Sequence, residues 1–173
     1  MDFFVRYFVE IDRPASAVDL AVDTVPAHCL NGLANRAEHR GLTLLLAANS
    51  AIDGGLQHGR IELKLGPIAL HGSTSLRSLI WSVTGADAVP PHLRADIEVG
   101  MLGPGRSQLA VAGRYRIPLL VSEDRINRGT AQRITELVVK DFVDGLAAVV
   151  QQFAIGSGLP PTPLGQTAFQ AVG

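Results

Sequence analysis

The sequence predicts an α+β domain in which an antiparallel meander of strands, wet on one face, is covered by a long C-terminal helix. Three observations point there. Segments of strand length alternate apolar and polar residues through the middle of the chain, and short Gly- and Pro-containing turns join them. The hydrophobic period then switches to that of a helix over TAQRITELVVKDFVDGLAAVVQQF.

In chain order, Phe3 to Asp12 alternates, with Val5, Tyr7, Val9 and Ile11 on one face and Arg6, Glu10 and Asp12 on the other beside Phe4 and Phe8. A short helix is expected over RPASAVDLAVD, entered at Pro14 and with Ser16 placed to cap it. PAHCLNGLANRAEHR spaces Cys29, Leu30, Leu33, Ala34 and Ala37 as a second helix, and Gly41 is read as its end. LTLLLAAN reads as a strand and IDGGLQHG as a turn. RIELKLGP alternates until Gly66-Pro67 stops it, followed by strands in LHGSTSLR, SLIWSVTG and HLRADIEVGML. The tight connection LGPGR leads to the last strand, RSQLAVAGRYRIP, in which Leu109, Val111, Gly113 and Tyr115 face inward and Arg114 and Arg116 outward. The final helix is expected to start at a Thr130 cap and to carry Ile134, Leu137, Val138, Phe142, Leu146, Val149 and Phe153 on its apolar stripe. Residues 1–153 form the expected domain, and the Gly- and Pro-rich 154–173 read as a tail.

The chain of 173 residues fits one such domain. Fifteen Lys and Arg against sixteen Asp and Glu leave a formal charge of −1, so no global field draws in nucleic acid or anionic membrane. Aromatic residues are only 5% of the chain, too few for the stacking platforms of single-strand binding. Cys29 is the single cysteine, which rules out an internal disulfide and a multi-thiolate zinc site. The N-terminal MDFFVRYFVEIDRP lacks the basic segment and cleavage site of a signal peptide, and no apolar run reaches the roughly 20 residues of a membrane span. A soluble, cytoplasmic protein with no integral membrane association is expected.

This order of elements, with VEIDRPASAV near the start, SLIWSVTGADAVPPHLRADIEVGMLGPGRSQLAVAGRYRIP across the last strands, DRINRG in the connection and AQRITELVVKDFVDGLAAVV in the final helix, resembles the SRPBCC superfamily. That superfamily includes START lipid-transfer domains, birch-pollen-allergen-like proteins and aromatic polyketide cyclases. The resemblance covers roughly residues 2–153 and is nearest to bacterial members. It implies the helix-grip fold: a curved antiparallel sheet wrapped around a long C-terminal helix, with two short helices after the first strand and a cavity between. It implies a ligand-binding habit and transfers no catalytic residue.

Inward residues from different strands would line such a cavity. The candidates are Tyr7, Leu63, Trp81, Ile97, Val111 and Tyr115, with Phe142 from the helix, a set suited to a lipophilic molecule bearing one or two hydrogen-bonding groups. Other groups read as structural. His28 and Cys29 are helix neighbours pointing about 100° apart, so they read as a surface histidine beside a small buried hydrophobe. His58, His71 and His92 fall in turns or strand ends without metal-ligand spacing, so no metal or cofactor is expected. Asp96 and Glu98 share the wet face of their strand, and Glu136, Lys140 and Asp144 form an ion-pair ladder at four-residue spacing. GPGR lacks the lysine and hydroxyl of a phosphate loop, and PPTP is the minimal spacing for a proline-reading partner.

Three functions fit. The first is a carrier that binds a hydrophobic small molecule or lipid. The second is a polyketide cyclase- or dehydratase-like enzyme, for which Tyr115 or Tyr7 would orient or protonate a substrate, although no inward carboxylate or histidine is legible. The third is an interaction module with a filled core. Dimerisation through the sheet or tail stays open.

Overall fold

The computed structural model describes residues 1–48, 59–84, 92–117 and 127–156, with side chains through 153. The elements are β1 (Asp2–Ile11), α1 (Ala15–Thr24), α2 (Ala27–Ala48), β2 (Ile61–His71), β3 (Thr74–Val83), β4 (Leu93–Gly103), β5 (Arg106–Arg116) and α3 (Arg128–Gly156). The strands form one antiparallel sheet in the order β1-β5-β4-β3-β2. Two-residue turns close β2–β3 and β4–β5, and Gly72 supplies the positive φ of 61° that the first of them requires.

The register stacks the inward side chains in rows across the sheet. One row is Phe3, Tyr115, Leu93, Trp81 and Leu63; the next is Val5, Gly113, Ala95, Leu79 and Leu65; a third is Tyr7, Val111, Ile97 and Arg77. The opposite parity is wet, as the alternation demands, and carries cross-strand ion pairs: Arg6 with Glu98 at 3.0 Å, Arg116 with Asp2 at 2.6 and 2.8 Å, and Arg106 with Glu10. Phe4 and Phe8 share that face and are exposed, as their parity predicts. α3 lies across the inward face against β1, α1 and α2, burying Val138, Val139, Phe142, Val143, Leu146 and Val150. This is the helix-grip arrangement.

Several expectations need correction. LHGSTSLR is not a strand of its own: it holds the end of β2, the Gly72-Ser73 turn and the start of β3. Ser16 does not cap α1, which starts at Ala15 behind Pro14 without a side-chain cap. LTLLLAAN is not a strand: α2 continues through Gly41 to Ala48, so the second helix is 22 residues long rather than short. Gly41 belongs to a helix crossing, because a Cβ there would stand 2.3 Å from Val138 Cγ2 on α3. Gly66-Pro67 does not stop its strand; a register shift between Leu65 and Ile68 absorbs it, and β2 is an edge strand where proline is tolerated. α3 starts before Thr130, at Arg128, with the Asn127 side chain accepting from the Gly129 N–H at 2.8 Å. His58, most of the IDGGLQHG turn, the start of DRINRG and residues 157–173 lie outside the described residues.

Two local devices hold the sheet in shape. Gly113 is the only residue that fits its position, since a Cβ would lie 2.3 Å from both Ala95 Cα and the Arg94 carbonyl oxygen. Its missing side chain serves close approach of strands instead of opening space for a ligand. Along β2, α2 supplies what a further strand would have supplied: Asn35 accepts from Ile61 N–H at 2.8 Å and donates to the Ile61 carbonyl at 2.9 Å, and Asn31 accepts from Leu63 N–H at 2.8 Å.

Candidate functional site

The buried stripe of α2 runs Leu30, Leu33, Ala34, Ala37, Glu38, Gly41, Leu42 and Leu45. A carboxylate within such a stripe must find donors, because burying it unpaired costs far more than the helix gains from packing. Glu38 finds two. Its Oε1 accepts from His92 Nδ1 at 2.9 Å, and its Oε2 accepts from the Tyr115 hydroxyl at 2.6 Å. The three side chains come from α2, the start of β4 and the end of β5, and all three are buried.

Each is positioned by its element. Tyr115 stands in the first inward row, between Phe3 and Leu93. His92 precedes β4 at a bend, where its N–H donates to the Trp81 carbonyl at 2.9 Å and its own carbonyl accepts from Arg116 N–H at 2.7 Å. The bend turns its ring toward α2, away from the wet face that strict alternation with Arg94 would have given it. Because a carboxylate only accepts, Nδ1 carries the hydrogen of this bond and Nε2 holds the lone pair of the neutral ring. Burial first, then the Glu38 charge and the hydrogen bond to it, push the Tyr115 pKa well above its usual 10.0, so the hydroxyl remains a donor.

Trp81 lies beside this trio. Its ring is edge-on to Tyr115 at 6.5 Å between centroids and to Phe142 at 5.0 Å. It is fully buried, yet among the described residues its indole N–H has no hydrogen-bond partner. Arg77 Nε in the third row and Ser107 Oγ are left in the same way; the Trp81 N–H differs from them in standing beside the buried trio.

The seven sequence-derived cavity candidates divide by row. Leu63, Trp81 and Tyr115 share the first row, and Phe142 of α3 touches Trp81, so four of them meet at the trio. Ile97, Val111 and Tyr7 share the third row, four residues further along their strands. Ile97 and Val111 are buried there in the aliphatic core. Tyr7 is half-buried on edge strand β1, with Lys140 Nζ 5.1 Å from its ring centre. Of the ladder on α3, Lys140 pairs with Asp144, while Glu136 accepts from Gln132 at 3.0 Å.

Sequence reasoning missed Glu38 and His92. Glu38 had a signal: it lies four residues after Ala34 and four before Leu42, squarely on an apolar stripe. That stripe is visible only when the helix passes through Gly41. His92 carried none, since its parity with Arg94 and Asp96 pointed outward.

A second polar cluster ties α1 to the sheet. Arg77, inward on β3, pairs with Asp23 and donates to the Asp19 carbonyl at 3.3 Å, while Ser75 donates to the Asp19 side chain. The Arg77 hydrogen bond, opposed by a smaller desolvation effect, holds Asp23 below the usual 3.8. An open cleft of about 200 Å³ lined by Glu10, Ile11, Asp12, Arg13 and Gln151 lies at the other end of β1 from the trio. Among the described residues no helix is long and apolar enough to cross a membrane.

No family model matches the chain, and no curated protein does. Among solved structures it is similar to norcoclaurine synthase from Thalictrum flavum, in complex with dopamine and hydroxybenzaldehyde, at 14% identity and a TM-score of 0.42 over 88% of each chain. It is similar to the Zhui aromatase/cyclase from Streptomyces sp. R1128 at 12% identity and a TM-score of 0.41, over 90% of this chain and 94% of that one. It is also similar to Ara h 8.0201 at 10% identity and a TM-score of 0.43, over 90% and 99%. Likeness this distant says nothing about chemistry. The element order, the sheet order β1-β5-β4-β3-β2 and the long helix laid across it make this chain a helix-grip fold.

Proposed function

We propose that the protein binds a small molecule with a lipophilic body and a polar group, seated at the Trp81 end of the inward face. The observation that carries this reading is the buried trio Glu38, His92 and Tyr115 beside an indole N–H that lacks a partner among the described residues. Apolar neighbours such as Leu63, Leu93 and Phe142 supply burial at about 25 cal/mol per Å², and the few polar atoms fix orientation. His92 is the member of the trio a ligand reaches, with 10% of its side chain exposed against 5% for Glu38.

Native mass spectrometry of the purified protein, followed by denaturing extraction, tests the reading. A reproducible small-molecule adduct that Trp81→Phe or Tyr115→Phe weakens is the expected result. A clean apo mass, with no thermal shift against a panel of lipids and aromatic polyketides, would refute it and favour an interaction module with a filled core. The carboxylate held against His92 favours a second reading, an enzyme acting on a hydrophobic substrate, because it orients the imidazole as the positioned base that such chemistry needs.

A further inference from the structure

We propose that His92 is a general base that moves a proton to and from the carbon next to a ligand's carbonyl group, making the protein a catalyst of enolisation. The inference rests on the binding reading above and adds the chemistry and the substrate class.

Two parts of an enolisation site come from residues that are hydrogen-bonded neighbours at one end of the sheet. The base is His92: Glu38 Oε1 accepts from Nδ1 at 2.9 Å, which fixes the tautomer and directs the basic lone pair at Nε2 away from α2. The second Glu38 oxygen is held by the Tyr115 hydroxyl at 2.6 Å, so the carboxylate cannot rotate freely. The other part is a donor for the developing oxyanion. Trp81 Nε1–H is fully buried and has no partner among the described residues, and the Trp81 carbonyl accepts from the His92 N–H at 2.9 Å. A fixed donor in a dry surrounding stabilises charge that appears only as the proton leaves. Pairs of groups whose surroundings assign one to basicity and another to hydrogen-bond donation are the pattern of such sites.

The step balances without a co-reactant. The lone pair on Nε2 takes the α proton, the C–H electron pair becomes the C=C bond of the enolate, and the carbonyl π pair moves to the oxygen facing Trp81 Nε1–H. The imidazolium formed is neutralised by Glu38. Once the proton on Nε2 has traded with solvent, its return to the same carbon gives exchange, while transfer to a conjugated position gives isomerisation; either regenerates the base. The ligand class is therefore a lipophilic ketone or thioester with an acidic α C–H. His92 is the catalytic residue, and Glu38 and Tyr115 position it.

The test uses the full chain and two probes. 2-Naphthol, a planar mimic of an enolate, reports binding through its own fluorescence; 2-tetralone in heavy water reports α-carbon exchange by proton NMR. The expected result is 2-naphthol binding together with deuterium incorporation at least about tenfold above an equal concentration of free imidazole. His92→Gln brings exchange to background while 2-naphthol still binds. Trp81→Phe, which keeps a ring and removes the N–H, lowers the exchange rate about 100-fold, far more than it weakens 2-naphthol binding. In Glu38→Gln the ring-nitrogen NMR signature of the Nδ1–H tautomer of His92 is lost along with exchange, and Glu38→Asp restores part of both. Binding of 2-naphthol without exchange above imidazole would overturn the proposal and leave the binding reading standing. Failure of 2-naphthol to bind also overturns it, and the mass-spectrometric adduct then decides the binding reading separately.

Discussion

Glu38 occupies a helix position where its neighbours one turn away are Ala34 and Leu42, and among the described residues its burial is supported by the two donors that reach it. Tyr115→Phe takes one donor away and is expected to cost about 1–3 kcal/mol in urea unfolding. It also changes the alkaline limb. The folded-state pKa of Tyr115 lies well above the 10.0 of an unfolded tyrosine, so its contribution is complete below pH 10 and is lost as pH rises through that folded value. Ultraviolet titration should show one of the two tyrosines ionising only together with alkaline unfolding, a step absent from Tyr115→Phe. Asp23 behaves oppositely. Its pKa is held below 3.8 by Arg77, so its contribution is present above pH 3.8 and is lost as pH falls through the lowered value. Asp23→Asn should lower stability throughout the neutral and alkaline range and leave it nearly unchanged at the acid end, below both pKa values, so that the acid limb flattens from above in urea unfolding followed against pH.

At the scale of elements, the two glycines of α2 have opposite tasks. Gly32 faces open space, with nothing within 4 Å of an added Cβ, so Gly32→Ala should stabilise by about 0.5–1 kcal/mol through backbone entropy. Gly41→Ala has the same propensity gain, but its Cβ would meet Val138 Cγ2 at 2.3 Å, and a β-branched side chain on a helix has no other rotamer to retreat into. The clash costs about 1–3 kcal/mol and wins; Gly41→Ala is expected to destabilise, and Val138→Ala to rescue it in a double-mutant cycle read by thermal unfolding. The same contrast explains what the sequence made legible. Alternation marked β1, β4, β5, the first half of β2 and the second half of β3, where one face is wet and the period of two leaves a mark; LHGSTSLR, read as a strand of its own, holds the turn between β2 and β3. Alternation failed at Leu42 to Ala48, where α2 is nearly all apolar and no period distinguishes helix from strand, and where a glycine needed for a crossing looks the same as one that ends a helix. At Gly66-Pro67 a turn signature was absorbed by an edge strand that had a bulge to give.

For the whole molecule, the candidate site was only half legible. Trp81, Tyr115 and Phe142 could be nominated from inward parity and the helical stripe, since those are local patterns. The trio could not, because Glu38 is 54 residues from His92 and 77 from Tyr115, and only the folded sheet with α2 against it brings them together. A ligand seated there binds the native state alone. At a hundred times its Kd it should add about 2.7 kcal/mol, which for a chain of this size is a rise in Tm of roughly 5–10 °C by calorimetry, and Trp81→Phe should shrink the rise. α2 completes this site and also closes the open margin of β2. The amides of Ile61 and Leu63 are held by asparagine side chains of the helix and not by another strand. Their hydrogen-exchange rates therefore read how often α2 lifts away from β2, so two backbone protons on one strand become a clock for the helix that carries Glu38.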